Sequence, residues 1–199
     1  MLHEKVRQIM EETNESIGAH ILYTFDDEDI YLENAVKYIV SGLEQGYHVL
    51  IIESKRNIPK MREKLESLLT EEQLSKAHYV NNHDFYILNG NFHAPTILNY
   101  FSRFIGPLLD DKGSCLTWAH VEWGDDQEMS KVIAEFEKES DKRVCELGTI
   151  SVCAYNSARI SDDLKEELYK THSDYFTDED MIKDETNNKY EKYVNEEVQ

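Results

Sequence analysis

The sequence has little of what staples or interrupts a chain: three cysteines, three prolines and eight glycines in 199 residues. Cys115, Cys145 and Cys153 are odd in number and form no C-x-x-C pair. That spacing suggests neither a disulfide framework nor a zinc site. Two of them lie in apolar stretches and read as buried thiols in a reducing, cytoplasmic setting. Basic residues are also scarce, 21 Lys and Arg against 40 Asp and Glu, for a net charge of −19. Such a surface excludes unassisted nucleic-acid binding, which needs clustered cations, and disfavours anionic membranes. No apolar run approaches the roughly 18 residues of a membrane span, and the polar, amphipathic N-terminus is unlike a signal peptide.

What is present is an alternation of apolar strands and amphipathic helices. Ile21-Leu22-Tyr23 reads as a strand, followed by the loop Phe25-Asp26-Asp27-Glu28-Asp29. Ile30, Leu32, Val36, Ile39, Val40 and Leu43 then mark a helix, and Val49-Leu50-Ile51-Ile52 a second strand. Further helices are expected over residues 2–14, 58–69, 94–109, 128–146 and 161–169, and strands over 77–80, 114–123 and 149–155. Residues 84–89 read as a turn or helix. The alternation predicts an α/β fold, a mostly parallel central sheet with helices on both faces. Residues 174–199 hold nine acids against three lysines and read as a loosely attached helix or a disordered tail. The expected division is an N-terminal helical extension (1–16), one folded domain (17–176) and an acidic C-terminal tail (177–199).

The strand–loop–helix–strand opening is where a nucleotide-binding protein places G-x-x-x-x-G-K-[ST], whose bare amides and lysine hold phosphate. Here the loop has no glycine and no lysine, and four of its five residues are acids. It reads as a solvated turn that caps the next helix through Asp27 or Asp29, or as a weak divalent-cation site. Glu53, at the end of the second strand, has no phosphate cradle to serve and is expected to be a relic or a polar pocket wall.

The densest set of functional side chains is Trp118-Ala119-His120-Val121-Glu122-Trp123. In a strand, Trp118, His120 and Glu122 share one face and Ala119, Val121 and Trp123 the other. His120 and Glu122 read as groups that orient a small polar ligand, as two ligands of a zinc or iron site lacking a third, or as paired core groups. Cys153 and Tyr155 share a face of the last strand. Ligands of open α/β sheets sit over the carboxyl ends of strands. The expected ligand site is therefore walled by Tyr23, Glu53, Trp118, His120, Glu122, Trp123 and Tyr155, with no catalytic residue, metal or cofactor assigned. His20 and His172 carry no signal on their own. No G-x-S-x-G elbow or dinucleotide fingerprint is found.

An ordered set of segments carries a family resemblance. They are Gly18-Ala19-His20-Ile21-Leu22-Tyr23, Ser41-Gly42-Leu43-Glu44-Gln45-Gly46, Tyr86-Ile87-Leu88-Asn89-Gly90-Asn91-Phe92, Glu122-Trp123, Glu135-Phe136-Glu137, Cys153-Ala154-Tyr155-Asn156 and Thr171-His172. In order and spacing they resemble the MEDS (methanogen/methylotroph, DcmR sensory) domain over residues 17–176. The resemblance implies a three-layer RecA-like fold, a degenerate relative of circadian-clock-type ATPases. It also implies a non-enzymatic sensory module in bacterial and archaeal signalling that binds a small organic ligand. Such modules relay to a partner such as a histidine kinase or transcription regulator, and a homodimer is compatible with that role. Two other functions stay open: a protein–protein adaptor or kinase regulator without a pocket, and a residual nucleotide-binding enzyme.

Overall fold

The computed structural model describes residues 18–88, 90–110, 115–124, 129–178 and 181–182. The helix expected over residues 2–14 lies outside them. The chain runs β1 (Ala19–Phe25), α1 (Glu28–Glu44), β2 (His48–Glu53), α2 (Asn57–Glu66), α3 (Glu71–Leu74), β3 (Ala77–Asn81) and α4 (Asn82–Tyr86). It continues with α5 (Ala94–Asp110), β4 (Cys115–His120), α6 (Met129–Leu147), β5 (Ile150–Asn156), α7 (Asp162–Thr171), β6 (Asp174–Phe176) and β7 (Met181–Ile182). Strand order across the sheet is β3-β2-β4-β5-β1-β6-β7. The first six strands in the chain pair in parallel, and β7 closes the edge antiparallel to β6.

Strand alternation divides the interior into two cores. Ile21, Tyr23 and Phe25 of β1, Val49 and Ile51 of β2, Leu116 and Trp118 of β4, and Val152 of β5 pack under α1 and α2. Leu22, Leu50, Ile52, Ala119, Cys153 and Tyr155 face α4–α7 on the other side. Both faces are covered, so the central strands read as nearly unbroken apolar runs. This is the three-layer α/β arrangement the alternation predicts.

Local chemistry explains most boundaries. The Asp27 carboxylate accepts from the amides of Asp29 and Ile30 at 2.8 and 3.0 Å, which caps α1. Ser161 caps α7 through the Leu164 amide. Gly148, at φ +62°, follows α6, and Thr149 N–H returns to the Val144 carbonyl at 3.2 Å, which ends that helix with the left-handed residue such a turn requires. Thr70 and Gln73 form a capping box that starts α3 as a separate turn, so the helix expected over 58–69 ends at Glu66.

Two expectations change. The strand read over 114–123 stops at His120, and Glu122 and Trp123 lie in the connector beyond it. Residues 174–176 and 181–182 are strands rather than a helix or disordered tail. Tyr175 and Phe176 supply apolar groups that dock against β1, and Ser173 N–H donates to the His20 carbonyl at 2.9 Å. The acid-rich composition of that stretch hid this short apolar pair.

Candidate functional site

The loop after β1 is where a phosphate-binding protein of this layout offers its amides to an anion. Here both amides are in use. Asp178, in the turn after β6, accepts from Asp26 N–H at 2.7 Å and Asp27 N–H at 2.9 Å. Its other carboxylate oxygen accepts from the Tyr23 hydroxyl at 2.7 Å, and Asn34 Nδ2 donates to that hydroxyl at 3.0 Å. Burial first, and then the hydrogen bond to Asp178, push the Tyr23 phenol far up and keep it a neutral donor. Arg56 pairs with Glu28 across the loop.

Behind the loop lies a buried polar chain under α1. Glu53 is fully buried and is held from four directions. Tyr31 hydroxyl donates to it, the Ser54 amide donates at 2.6 Å, His120 Nδ1–H donates at 2.9 Å and Asn57 Nδ2 at 3.4 Å. Trp118 Nε1–H donates to the Tyr31 hydroxyl at 3.0 Å. Burial alone would raise the Glu53 carboxyl, but the His120 hydrogen bond and charge and the Tyr31 donor outweigh it and hold it below the usual carboxylate range. Phe25, Tyr31, Tyr23 and Trp118 pack ring against ring around this chain, with Phe25 and Tyr31 centroids 4.2 Å apart.

His120 links this interior to an open cleft over the strand ends. Its Nε2 lies 3.8 Å from Glu122 Oε1, and Asn82 Nδ2 donates to Glu122 Oε2 at 3.1 Å. The cleft has a volume of about 370 Å³, with Ile87, Phe92, Trp123 and Met129 as apolar lining and Glu122 and Arg159 as charges. Arg159 stacks on the Trp123 ring at 4.8 Å and donates to its carbonyl at 2.6 Å. That size and mix suit a small molecule with an apolar body and a polar end.

The seven residues expected to wall one pocket are thus divided. Tyr23, Glu53, Trp118 and His120 form the buried chain. Glu122 and Trp123 line the cleft, whereas Glu53, buried beneath α1, is a hydrogen-bond hub and not an exposed wall. Tyr155 sits on the opposite face of the sheet, fully buried, with its hydroxyl donating to Glu137 of α6. Strand parity fixes this: Trp118 pairs with Val152, so Cys153 and Tyr155 point the other way.

Tyr155 belongs to a second polar cluster that the sequence did not suggest. His20, Glu137, Cys153 and His172 are all buried, and one donor atom from each lies within 4.8 Å of the others. His20 Nε2 is 3.3 Å from both Cys153 Sγ and Glu137 Oε2, and His172 Nε2 is 3.8 Å from Glu137 Oε2. The two imidazoles stack with centroids 4.0 Å apart. Burial, followed by the charge on His20, pushes the His172 imidazole down to about 3, so it is neutral. Burial and then the Glu137 charge push the Cys153 thiol up to about 11. Burial alone would lower His20, yet its anionic surroundings hold it well above the usual histidine value. With Cys153 still a thiol at neutral pH, those anions are the carboxylates of Asp141 and Glu137 and not the sulfur.

Fold comparison agrees with this layout. The chain aligns with a KaiC-like protein from the hyperthermophilic archaeon Pyrococcus horikoshii OT3 at TM-score 0.53 and 15% identity, over 81% of this chain and 71% of that one. It aligns with a solved ATPase domain at TM-score 0.55 and 10% identity, over 87% of this chain and 80% of that one. At such identities the likeness is one of fold, RecA-like in both cases. No curated protein sequence matches. The family profile described as MEthanogen/methylotroph, DcmR Sensory domain matches residues 19–173, nearly all of the sheet and its covering helices, and the chain belongs to that family of sensory domains.

Proposed function

We propose that this sensory domain is non-enzymatic and cytoplasmic, binds a small organic molecule in the cleft over the strand ends, and relays occupancy to a signalling partner such as a histidine kinase or transcription regulator. The observation that carries this reading is the 370 Å³ cleft at the carboxyl ends of the strands, with Trp123, Phe92 and Met129 as its apolar lining and Glu122 and Arg159 as its polar ends. Against a nucleotide-hydrolysing role stands the loop after β1, whose amides are taken by Asp178 and whose side chains are acids. Triphosphate would meet repulsion there in place of a cradle.

The relay runs through one ion-pair contact and two hydrogen bonds already in place. A ligand that engages Glu122 draws on the group beside His120, and His120 is bonded to Glu53, which holds Tyr31 of α1. A ligand preferring one arrangement of this chain shifts α1 and the Asp26–Asp29 surface toward that arrangement. The test is a thermal-shift screen of small organic compounds on the intact chain. Stabilisers are expected whose effect disappears in Trp123→Ala and shrinks in Glu122→Gln. Stabilisers that act equally on both variants would move the ligand elsewhere. A stabilising compound at 100 times its Kd adds about 2.7 kcal/mol to the folded state, well within reach of the assay.

A further inference from the structure

Beneath α6 and α7, the buried cluster of His20, Glu137, Cys153 and His172 holds its polar atoms at ion-pair distances without completing their hydrogen bonds. His20 Nδ1, Glu137 Oε2 and His172 Nε2 make no hydrogen bond. Leaving buried polar atoms unpaired is costly, and Glu137 Oε2 and His172 Nε2, which face one another, call for a common partner. The His172 tautomer sharpens the problem. Its Nδ1–H donates to the Leu168 carbonyl at 2.7 Å, which leaves Nε2 as a bare lone pair facing a carboxylate oxygen 3.8 Å away. Two lone pairs directed at each other in a dry interior repel, and a cation shared between them relieves that repulsion.

We propose that these four side chains form a binding site for a zinc-class divalent transition metal, with His20 Nε2, His172 Nε2, Glu137 Oε2 and Cys153 Sγ as ligands. The donor set, two imidazoles, a carboxylate and a thiolate, is that of zinc and its tetrahedral relatives and disfavours magnesium or calcium. Bonds of about 2.1 Å place tetrahedral ligand atoms roughly 3.4 Å apart. Two of the present separations, both 3.3 Å, already match, and His172 to Glu137 at 3.8 Å is close.

The surrounding shell is also that of a metal centre. His172 is oriented by the Leu168 carbonyl, Glu137 by the Tyr155 hydroxyl on its other oxygen, and His20 Nδ1 faces Asp141 at 3.6 Å. Outer partners of this kind fix the ring tautomer and the carboxylate orientation. On binding, the metal replaces the proton that Cys153 holds and the one His20 shares with its carboxylates, and both protons leave to solvent. The site ties together β1, α6, β5 and the end of α7, four elements from opposite ends of the chain. It is independent of the cleft at Trp123, so either can fail without the other.

The experiment loads the intact chain with Zn2+, and separately with Co2+, and removes loose metal with a weak chelator. One retained equivalent is expected. The cobalt form should show visible bands of tetrahedral intensity and a thiolate-to-cobalt charge-transfer band in the near ultraviolet. Cys153→Ser should lose the charge-transfer band while staying folded by circular dichroism, and His172→Gln should weaken retention by about 100-fold or more. Glu53→Gln, in the other polar cluster, should leave retention unchanged. A folded wild-type chain that retains no metal, or a cobalt spectrum identical in Cys153→Ser, overturns the proposal.

Discussion

At the scale of single residues, Glu53 and His120 are the most consequential pair in the interior beneath α1. The carboxyl is held below its ordinary range, and an unfolded glutamate titrates near 4.3. The sign follows directly. The lowered Glu53 carboxyl contributes stability that is present above about pH 4.3 and is lost as pH falls through its folded value. Denaturant titrations at several pH values should show a loss on acidification that is smaller in Glu53→Gln. His120→Ala removes one partner and leaves a buried carboxylate with fewer donors, and should cost about 3 kcal/mol at neutral pH. A cost under about 0.5 kcal/mol would mean that Tyr31 and the Ser54 amide hold Glu53 on their own.

The same scale shows what could and could not be read from the residues. Trp118, His120 and Glu53 were legible because each sits on or just past an apolar strand whose parity places it. The cluster of His20, Glu137, Cys153 and His172 was not, since its members come from four elements spanning residues 20 to 172 with no local spacing. Each does lie in a segment that supported the family resemblance. That was the one signal able to single them out, and it gave no reason to group them. Tyr155 packs its ring behind Trp123 of the cleft, centroids 5.9 Å apart, while its hydroxyl turns to Glu137, a partner that strand parity alone does not reveal.

At the scale of elements, α1 approaches the sheet unusually closely through Gly42. A Cβ there would meet Leu116 Cδ1 at 2.5 Å and Val49 Cγ2 at 3.1 Å. Both neighbours are core side chains of central strands, so they have little space to yield. Gly42→Ala is expected to destabilise the fold by about 1–3 kcal/mol, against the stabilisation of up to about 1 kcal/mol that alanine gives in an open helix. Chemical denaturation of the single variant decides between these signs. The long amphipathic helices and the β-branched strands were the most legible elements, because periodicity accumulates over many residues. β6 was least so: three residues, the first of them an acid, carry too little pattern, and only pairing with β1 makes them a strand.

At the scale of the whole molecule, a RecA-like framework carries no cationic loop at the position such frameworks use for phosphate, and the fold comparison extends to layers and strands alone. ATP with Mg2+ is therefore expected to leave Tm unchanged, and a clear rise would restore the nucleotide-binding alternative. Asp178→Ala should lower stability by about 1–3 kcal/mol, because two loop amides and the Tyr23 hydroxyl lose their acceptor together.

The Asp178 contact has a topological corollary. The chain carries its own built-in anion just after β6, where a phosphate-binding loop would admit an exchangeable one. A diffusible anion can reach those amides only after the Asp178 carboxylate has left them, so loop occupancy is coupled to the seating of the turn that follows β6.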